Sequence, residues 1–153
     1  MNKEIIEQWE LNKNKLRKYF ETTEQKKYSN YKEIVKVLIK IILPEYDYNH
    51  ITEIDDGDYQ GTKIYLIPKD TYQPDIGEYL ITHNYYGSCS GCDTLLSIQN
   101  YDDEIPNEAQ VDEIPNEAQV NEYMQLCLHL IQRMRILGDK ENEWRIKILQ
   151  ILW

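Results

Sequence analysis

Phenylalanine occurs once in this 153-residue chain, at Phe20, glycine six times and cysteine three times. Apolar runs are short: none approaches the roughly 18 residues that a membrane-spanning helix needs, and the opening Met-Asn-Lys-Glu-Ile-Ile-Glu has no apolar signal stretch. A cytoplasmic protein with no membrane partner is the expectation. Cys89, Cys92 and Cys127 are an odd set for a closed disulfide framework, and a reducing compartment would keep them as thiols. Metal binding, redox chemistry and plain burial stay open. The phosphate-gripping glycine loop, the Gly-x-Ser-x-Gly elbow and the His-Glu-x-x-His pair are all missing. No catalytic residue is assigned on this sequence.

Positive charge is also scarce, at 17 Lys and Arg against 27 Asp and Glu, a net of −10. Residues 1–43 hold 10 basic and 6 acidic side chains, residues 44–122 hold 2 and 18, and residues 123–153 hold 5 and 3. Only Lys63 and Lys69 oppose the acids of the middle segment. A broad negative face of this kind repels nucleic acid and attracts basic protein surfaces. It can also imitate a phosphate backbone, although a solvated face needs no partner at all.

What the chain does have is 41% hydrophobic residues and 13 tyrosines, enough apolar mass for one folded core. Tyrosine pairs an apolar ring with a wet hydroxyl and suits half-exposed strands and recognition surfaces, while codon bias in an AT-rich genome would enrich it equally well.

Ile5, Trp9, Leu16, Tyr19 and Phe20 follow a helical stripe between Glu4 and Phe20. After a polar stretch, Asn30-Tyr31-Lys32-Glu33 reads as a capping box opening a second helix that Pro44 ends, with Ile34, Val35, Val37, Leu38, Ile41 and Ile42 as its apolar positions in the core. Residues 50–54 and 62–68 read as strands of a hairpin about Asp55-Asp56-Gly57-Asp58, and residues 78–86 as a third strand. The aspartates lack the ligand spacing and closing Glu of an EF-hand, so they read as a turn. Residues 93–99 suit either a short helix or a strand. Residues 103–111, Asp-Glu-Ile-Pro-Asn-Glu-Ala-Gln-Val, recur letter for letter at 112–120. Two copies are too few for a solenoid, so the first reads as an exposed loop and the second as the entry to a long helix, with Pro115 in its first turn and its end near Gly138. Alternation of Trp144, Ile146 and Ile148 with Arg145 and Lys147 predicts a last strand.

The predicted fold is α+β: a single domain, 1–153, with an antiparallel sheet of about four strands packed by two N-terminal helices and one long C-terminal helix. Its parts are a helical stretch (1–43), a β-rich stretch with a cysteine knuckle (44–100), the repeat (101–120), and a helix with a final strand (121–153).

Gly87-Ser88-Cys89-Ser90-Gly91-Cys92-Asp93 carries the most specific local chemistry, a Cys-x-x-Cys turn in which Gly91 offers backbone freedom. A Zn²⁺ site takes about four ligands. The other two must come from Cys127, His129, His83 and His50; Cys127 and His129 point apart on a helix, so the expected set is Cys89, Cys92, His83 and Cys127. The rival is a thiol oxidoreductase, because strand, Cys-x-x-Cys and short helix resemble the thioredoxin arrangement, although two helices before all strands do not.

Asp58-Tyr59-Gln60-Gly61-Thr62, Tyr72-Gln73-Pro74, Tyr86-Gly87-Ser88-Cys89-Ser90-Gly91-Cys92-Asp93-Thr94-Leu95 and Gln119-Val120-Asn121-Glu122-Tyr123-Met124 resemble a group of small proteins of phages and prophages of low-GC Gram-positive bacteria. The likeness covers mainly residues 53–98 and 115–131, and the tandem copy departs from the usual single segment. The group carries no assigned activity; the resemblance implies a phage-borne protein of the host cytoplasm. The leading expectation is an acidic binding protein that engages and inhibits or modulates a host protein with a basic surface, for example a defence or nucleic-acid enzyme. Asp55, Asp56, Asp58, Tyr59, Tyr85 and Tyr86 are its candidate contacts. The alternatives are a zinc-binding or thiol-dependent enzyme at Cys89 and Cys92, and a structural accessory protein of phage replication or assembly.

Overall fold

The computed structural model describes residues 2–26, 30–100, 104, 106 and 111–138. Helix α1 (Lys3–Thr22) starts where the Asn2 side chain accepts the backbone N–H groups of Glu4 and Ile5, and it buries Ile5, Trp9, Leu16 and Phe20 along one stripe. Helix α2 (Tyr31–Ile42) is capped by Asn30, whose side chain accepts the Glu33 N–H. It buries Tyr31, Ile34, Val35, Leu38, Ile39 and Ile42, and stops short of Pro44 as the sequence predicts.

Strands β1 (Thr52–Asp55), β2 (Gly61–Pro68) and β3 (Tyr79–Tyr86) form an antiparallel meander, and a short 3₁₀ turn (Ile76–Glu78) leads into β3. Helix α3 (Thr94–Ile98) resolves the ambiguous segment after the cysteines as a helix, with Asp93 accepting the Leu96 N–H at its start. Helix α4 (Glu117–Arg133) is the long C-terminal helix. The fourth strand, β4, is Arg135–Ile136, and the sheet order is β1-β2-β3-β4. The fold is therefore the α+β domain the sequence predicts.

Two details differ. Helix α4 ends at Arg133, ahead of Gly138, because Arg135 and Ile136 pair with Ile81 and Leu80 and so extend the sheet instead of the helix. Pro115 lies outside the first turn: Asn116 is the cap, exchanging hydrogen bonds with Gln119 in a capping box. The second repeat copy is thus integral to the fold. Glu113 bridges to Gln25 by two backbone hydrogen bonds, of 2.9 and 3.2 Å, and Gln119 Nε2 donates to the carbonyl of Ile98 at the end of α3. Most of the first copy, and the strand predicted around Trp144, lie outside the described residues.

Because side chains alternate along a strand, the pairing divides the sheet into two faces. Tyr65, Ile67, Leu80 and Tyr86 join the side chains of α1, α2 and α4 in the main core. Ile64, Leu66 and Ile81 lie on the opposite face with Leu137 in a small second cluster. The Thr82 hydroxyl donates to the Leu130 carbonyl at 2.8 Å, a direct tie between β3 and α4. Phe20 is fully buried and stacks on Tyr123 of α4, with ring centroids 4.7 Å apart and planes 4° from parallel. No helix among the described residues is long and apolar enough to cross a membrane.

Phe20 is thus the lock between α1 and α4. Phe20→Ala is expected to cost about 3–5 kcal/mol, measured as a lowered urea midpoint with an unchanged m-value; a loss under about 1 kcal/mol would show that the stack is dispensable.

Candidate functional site

The hairpin tip between β1 and β2 and the turn after β3 lie at the same end of the sheet, because Gly61 pairs with Tyr86 and the cysteine turn begins at Gly87. At the tip, Asp55 accepts the Gly57 N–H at 3.0 Å and Asp56 accepts the Thr62 N–H at 2.6 Å. The aspartates therefore close their own turn, as the turn reading predicts. A side chain at Gly57 would place its Cβ 2.1 Å from the Gln60 carbonyl oxygen, so the loop closes this tightly only over a glycine.

Asp58 and Tyr59 stand outward, with Tyr59 81% exposed. Tyr85 is 54% exposed, and its hydroxyl lies 3.3 Å from Gln60 Oε1, which joins it to the same patch. Tyr86, grouped with these as a contact by the sequence, departs from them. It points to the helix-covered face, is 8% exposed, and donates its hydroxyl to Asp55 at 2.6 Å. That bond to Asp55 holds the Tyr86 hydroxyl up at about 12. Lys63 sits over the Tyr86 ring at 5.1 Å and 3.9 Å from Glu53, so it lies beneath the hairpin. The outward patch is accordingly Asp56, Asp58, Tyr59 and Tyr85, a surface of carboxylates and aromatic rings.

The cysteine turn is built around Asp93. Buried to 5% exposure, its carboxylate accepts the Gly87 N–H at 3.0 Å, the Tyr31 hydroxyl at 2.9 Å and the Leu96 N–H at 3.0 Å. The Tyr31 oxygen in turn accepts the Leu95 N–H at 3.1 Å. Burial, and then the Asp93 charge, push the Tyr31 hydroxyl above the usual tyrosine range, which keeps it a donor. The Cys89 carbonyl accepts the N–H groups of Cys92 and Asp93 at 3.1 and 2.9 Å. The glycine the turn depends on is Gly87 rather than Gly91. A Cβ on Gly87 would meet the Cys92 carbonyl oxygen at 2.6 Å and its sulfur at 2.8 Å, whereas one on Gly91 meets only Cys89 Sγ, at 4.0 Å.

Cys89 and Cys92 come together, Sγ to Sγ 2.7 Å, both as free thiols. The other two members of the expected zinc set stand elsewhere. Cys127 is wholly buried in the core on α4, and burial pushes its thiol well above the ordinary range. His83 pairs with Ile64 on the opposite face of the sheet. Strand alternation thus puts the sheet between His83 and Cys127. Among the described residues no group of three or more His, Cys, Asp and Glu side chains converges as a metal cage would. His50 is engaged by Asp47 at 2.6 Å, far along the chain from the turn.

His129 is the residue that sequence spacing set aside. It lines a cleft of about 440 Å³ between α3 and α4 together with Cys92, Ser97, Glu122 and Gln125. Its Nε2 lies 2.9 Å from Gln125 Nε2. The packing of α3 against α4 creates this neighbourhood, and no local signal encodes it. Comparison with family models, with curated proteins and with solved structures finds no match to this chain.

Two outcomes are expected. Asp93→Ala should cost about 3 kcal/mol or more, since it strands the Tyr31 hydroxyl and two N–H groups; chemical denaturation checks this, and a near-neutral effect would mean that the carboxylate does not organise the turn. The second concerns pH. Desolvation works to raise the Asp55 carboxyl, but the Tyr86 hydroxyl, the Gly57 N–H and the Lys63 charge outweigh it and hold it below the usual range. A carboxyl depressed in the folded state adds stability above its unfolded value and loses it as pH falls through the folded value. Asp55→Asn should therefore be less stable than the parent near neutrality, with the gap narrowing as pH falls through and below the usual carboxylate range. Parallel urea titrations would show it, and a gap constant with pH would contradict the assignment.

Proposed function

We propose that this protein acts by binding: it engages a host protein with a basic surface and inhibits or modulates it, through the acidic and aromatic patch at the hairpin tip. The observation that carries this reading is the joint exposure of Tyr59 and Tyr85 beside Asp56 and Asp58. Tyrosine rings give large contact area at low conformational cost, and interfaces use them as anchors. Carboxylates around such rings steer association with a positive partner and set its orientation. The middle segment, with 18 acidic and 2 basic side chains, extends the same sign of charge beyond the patch. An interface of this composition disfavours direct contact with nucleic acid, whose phosphates it would repel.

The resemblance to small phage and prophage proteins supports a target within the bacterial host. A defence or nucleic-acid enzyme is the kind of partner whose basic groove an acidic surface would occupy.

Asp58 and Tyr59 extend outward from the turn, so Asp58→Asn with Tyr59→Ala should leave stability within about 0.5 kcal/mol of the parent. Immobilised parent protein should retain a defined protein from a lysate of a low-GC Gram-positive host and release it as salt rises. The double variant should retain much less. Equal retention by both, or no defined protein on the parent, would overturn the proposal.

A further inference from the structure

The cysteine turn carries chemistry that binding at the hairpin does not use. We propose that Cys89 and Cys92 are a redox-active pair that passes between two thiols and one disulfide by exchange with a low-molecular-weight disulfide, Cys92 attacking first and Cys89 resolving.

Four features of the geometry point this way. The two sulfurs lie 2.7 Å apart, against roughly 2.05 Å in a disulfide, so closing the bond needs a shift of well under an ångström. The turn is already shaped for it. Cys89 and Cys92 share an i to i+3 backbone hydrogen bond, and Asp93 holds both flanks through Gly87 and Leu96. The pair is also accessible, with Cys92 exposed and Cys89 partly so, in contrast to Cys127. Finally, Cys92 borders the cleft of about 440 Å³ that Ser97, Glu122, Gln125 and His129 line together with Ile98 and Leu126, which offers a mixed polar and apolar seat for a small disulfide.

The two thiols are not equivalent. The Cys92 sulfur accepts the backbone N–H of Cys89 at 3.2 Å, donates to the Cys89 carbonyl at 3.3 Å, and touches the Cys89 thiol, where either sulfur can donate. Hydrogen bonds from the Cys89 thiol and then its backbone lower the Cys92 thiol from its ordinary value. Cys92 is thus the thiol assigned the first attack, with Cys89 able to supply a proton across the 2.7 Å contact.

The exchange balances as follows. The Cys92 thiolate attacks one sulfur of a disulfide RSSR, forms a Cys92–SR bond and expels RS⁻. Cys89 gives its proton to that thiolate, and its own sulfur attacks Cys92 Sγ, breaking the Cys92–SR bond and expelling the second RS⁻, which takes a proton from solvent. Two protein thiols are oxidised to one disulfide while RSSR is reduced to two thiols. A reducing thiol in excess reverses both steps.

The test treats the folded full-length chain with oxidised glutathione and follows it by intact-mass analysis after thiol alkylation. The expected product is a Cys89–Cys92 disulfide, with Cys127 alkylated only after denaturation. Cys89→Ser should instead accumulate a stable adduct of one glutathionyl group on Cys92, and Cys92→Ser should react about ten-fold more slowly at Cys89. Should either variant fail to fold, the site of oxidation in the parent chain decides alone. Three results would overturn the proposal: a pair that stays reduced under oxidised glutathione that oxidises the denatured chain, oxidation spread equally to Cys127, or stoichiometric zinc that blocks both thiols until a chelator removes it.

Discussion

The Asp93 carboxylate is the interaction on which this end of the molecule depends. A buried carboxylate costs several kcal/mol unless donors surround it, and a single missing partner leaves the charge uncompensated. Here the donors come from three places: Tyr31 at the start of α2, Gly87 at the exit of β3, and Leu96 in the first turn of α3. Satisfying one side chain therefore joins the helix layer, the sheet and the cysteine turn. The same constraint places Cys89 and Cys92 in one conformation, because Gly87 and Asp93 bracket them and Gly87 leaves no room for a side chain beside Cys92.

A second consequence concerns the acids. Of the three aspartates at the hairpin, Asp55 and Asp56 close the turn, and Asp55 also receives the Tyr86 hydroxyl. Their charge still projects at the tip, but their geometry is committed to folding. Asp58 and Tyr59 are held out by that closed turn. Groups that close the loop are thus distinct from Asp58 and Tyr59, which it presents outward, and a surface ordered in advance would lower the ordering cost of the proposed association.

Three cysteines with similar intrinsic chemistry meet three environments. Cys127 is enclosed by apolar side chains of the main core, where ionisation is disfavoured and its sulfur serves packing. Cys89 and Cys92 sit in a polar turn at the surface, each against the other. The reactivity proposed for the pair, against the inertness of the third, would follow from burial and hydrogen bonding rather than from residue type.

Local signals made most of the architecture legible. The stripe from Ile5 to Phe20, the Asn30 cap, Pro44 and the Asp-Gly turn each act within a few residues, and the observed α1, α2, β1 and β2 follow them closely. The paired cysteines were legible for the same reason, since a spacing of three residues within a turn already brings two sulfurs together. What the sequence by itself determined was therefore the helix and hairpin pattern, the acidic middle and the Cys-x-x-Cys turn. Tertiary structure alone decided that β4 cuts α4 short at Arg133, that Tyr86 turns inward to Asp55, that His83 and Cys127 fall on opposite sides of the sheet, and that His129 shares a cleft with Cys92. Each of these depends on contacts between residues far apart in the chain, where strand register and helix packing, rather than neighbouring residues, set which side chains meet.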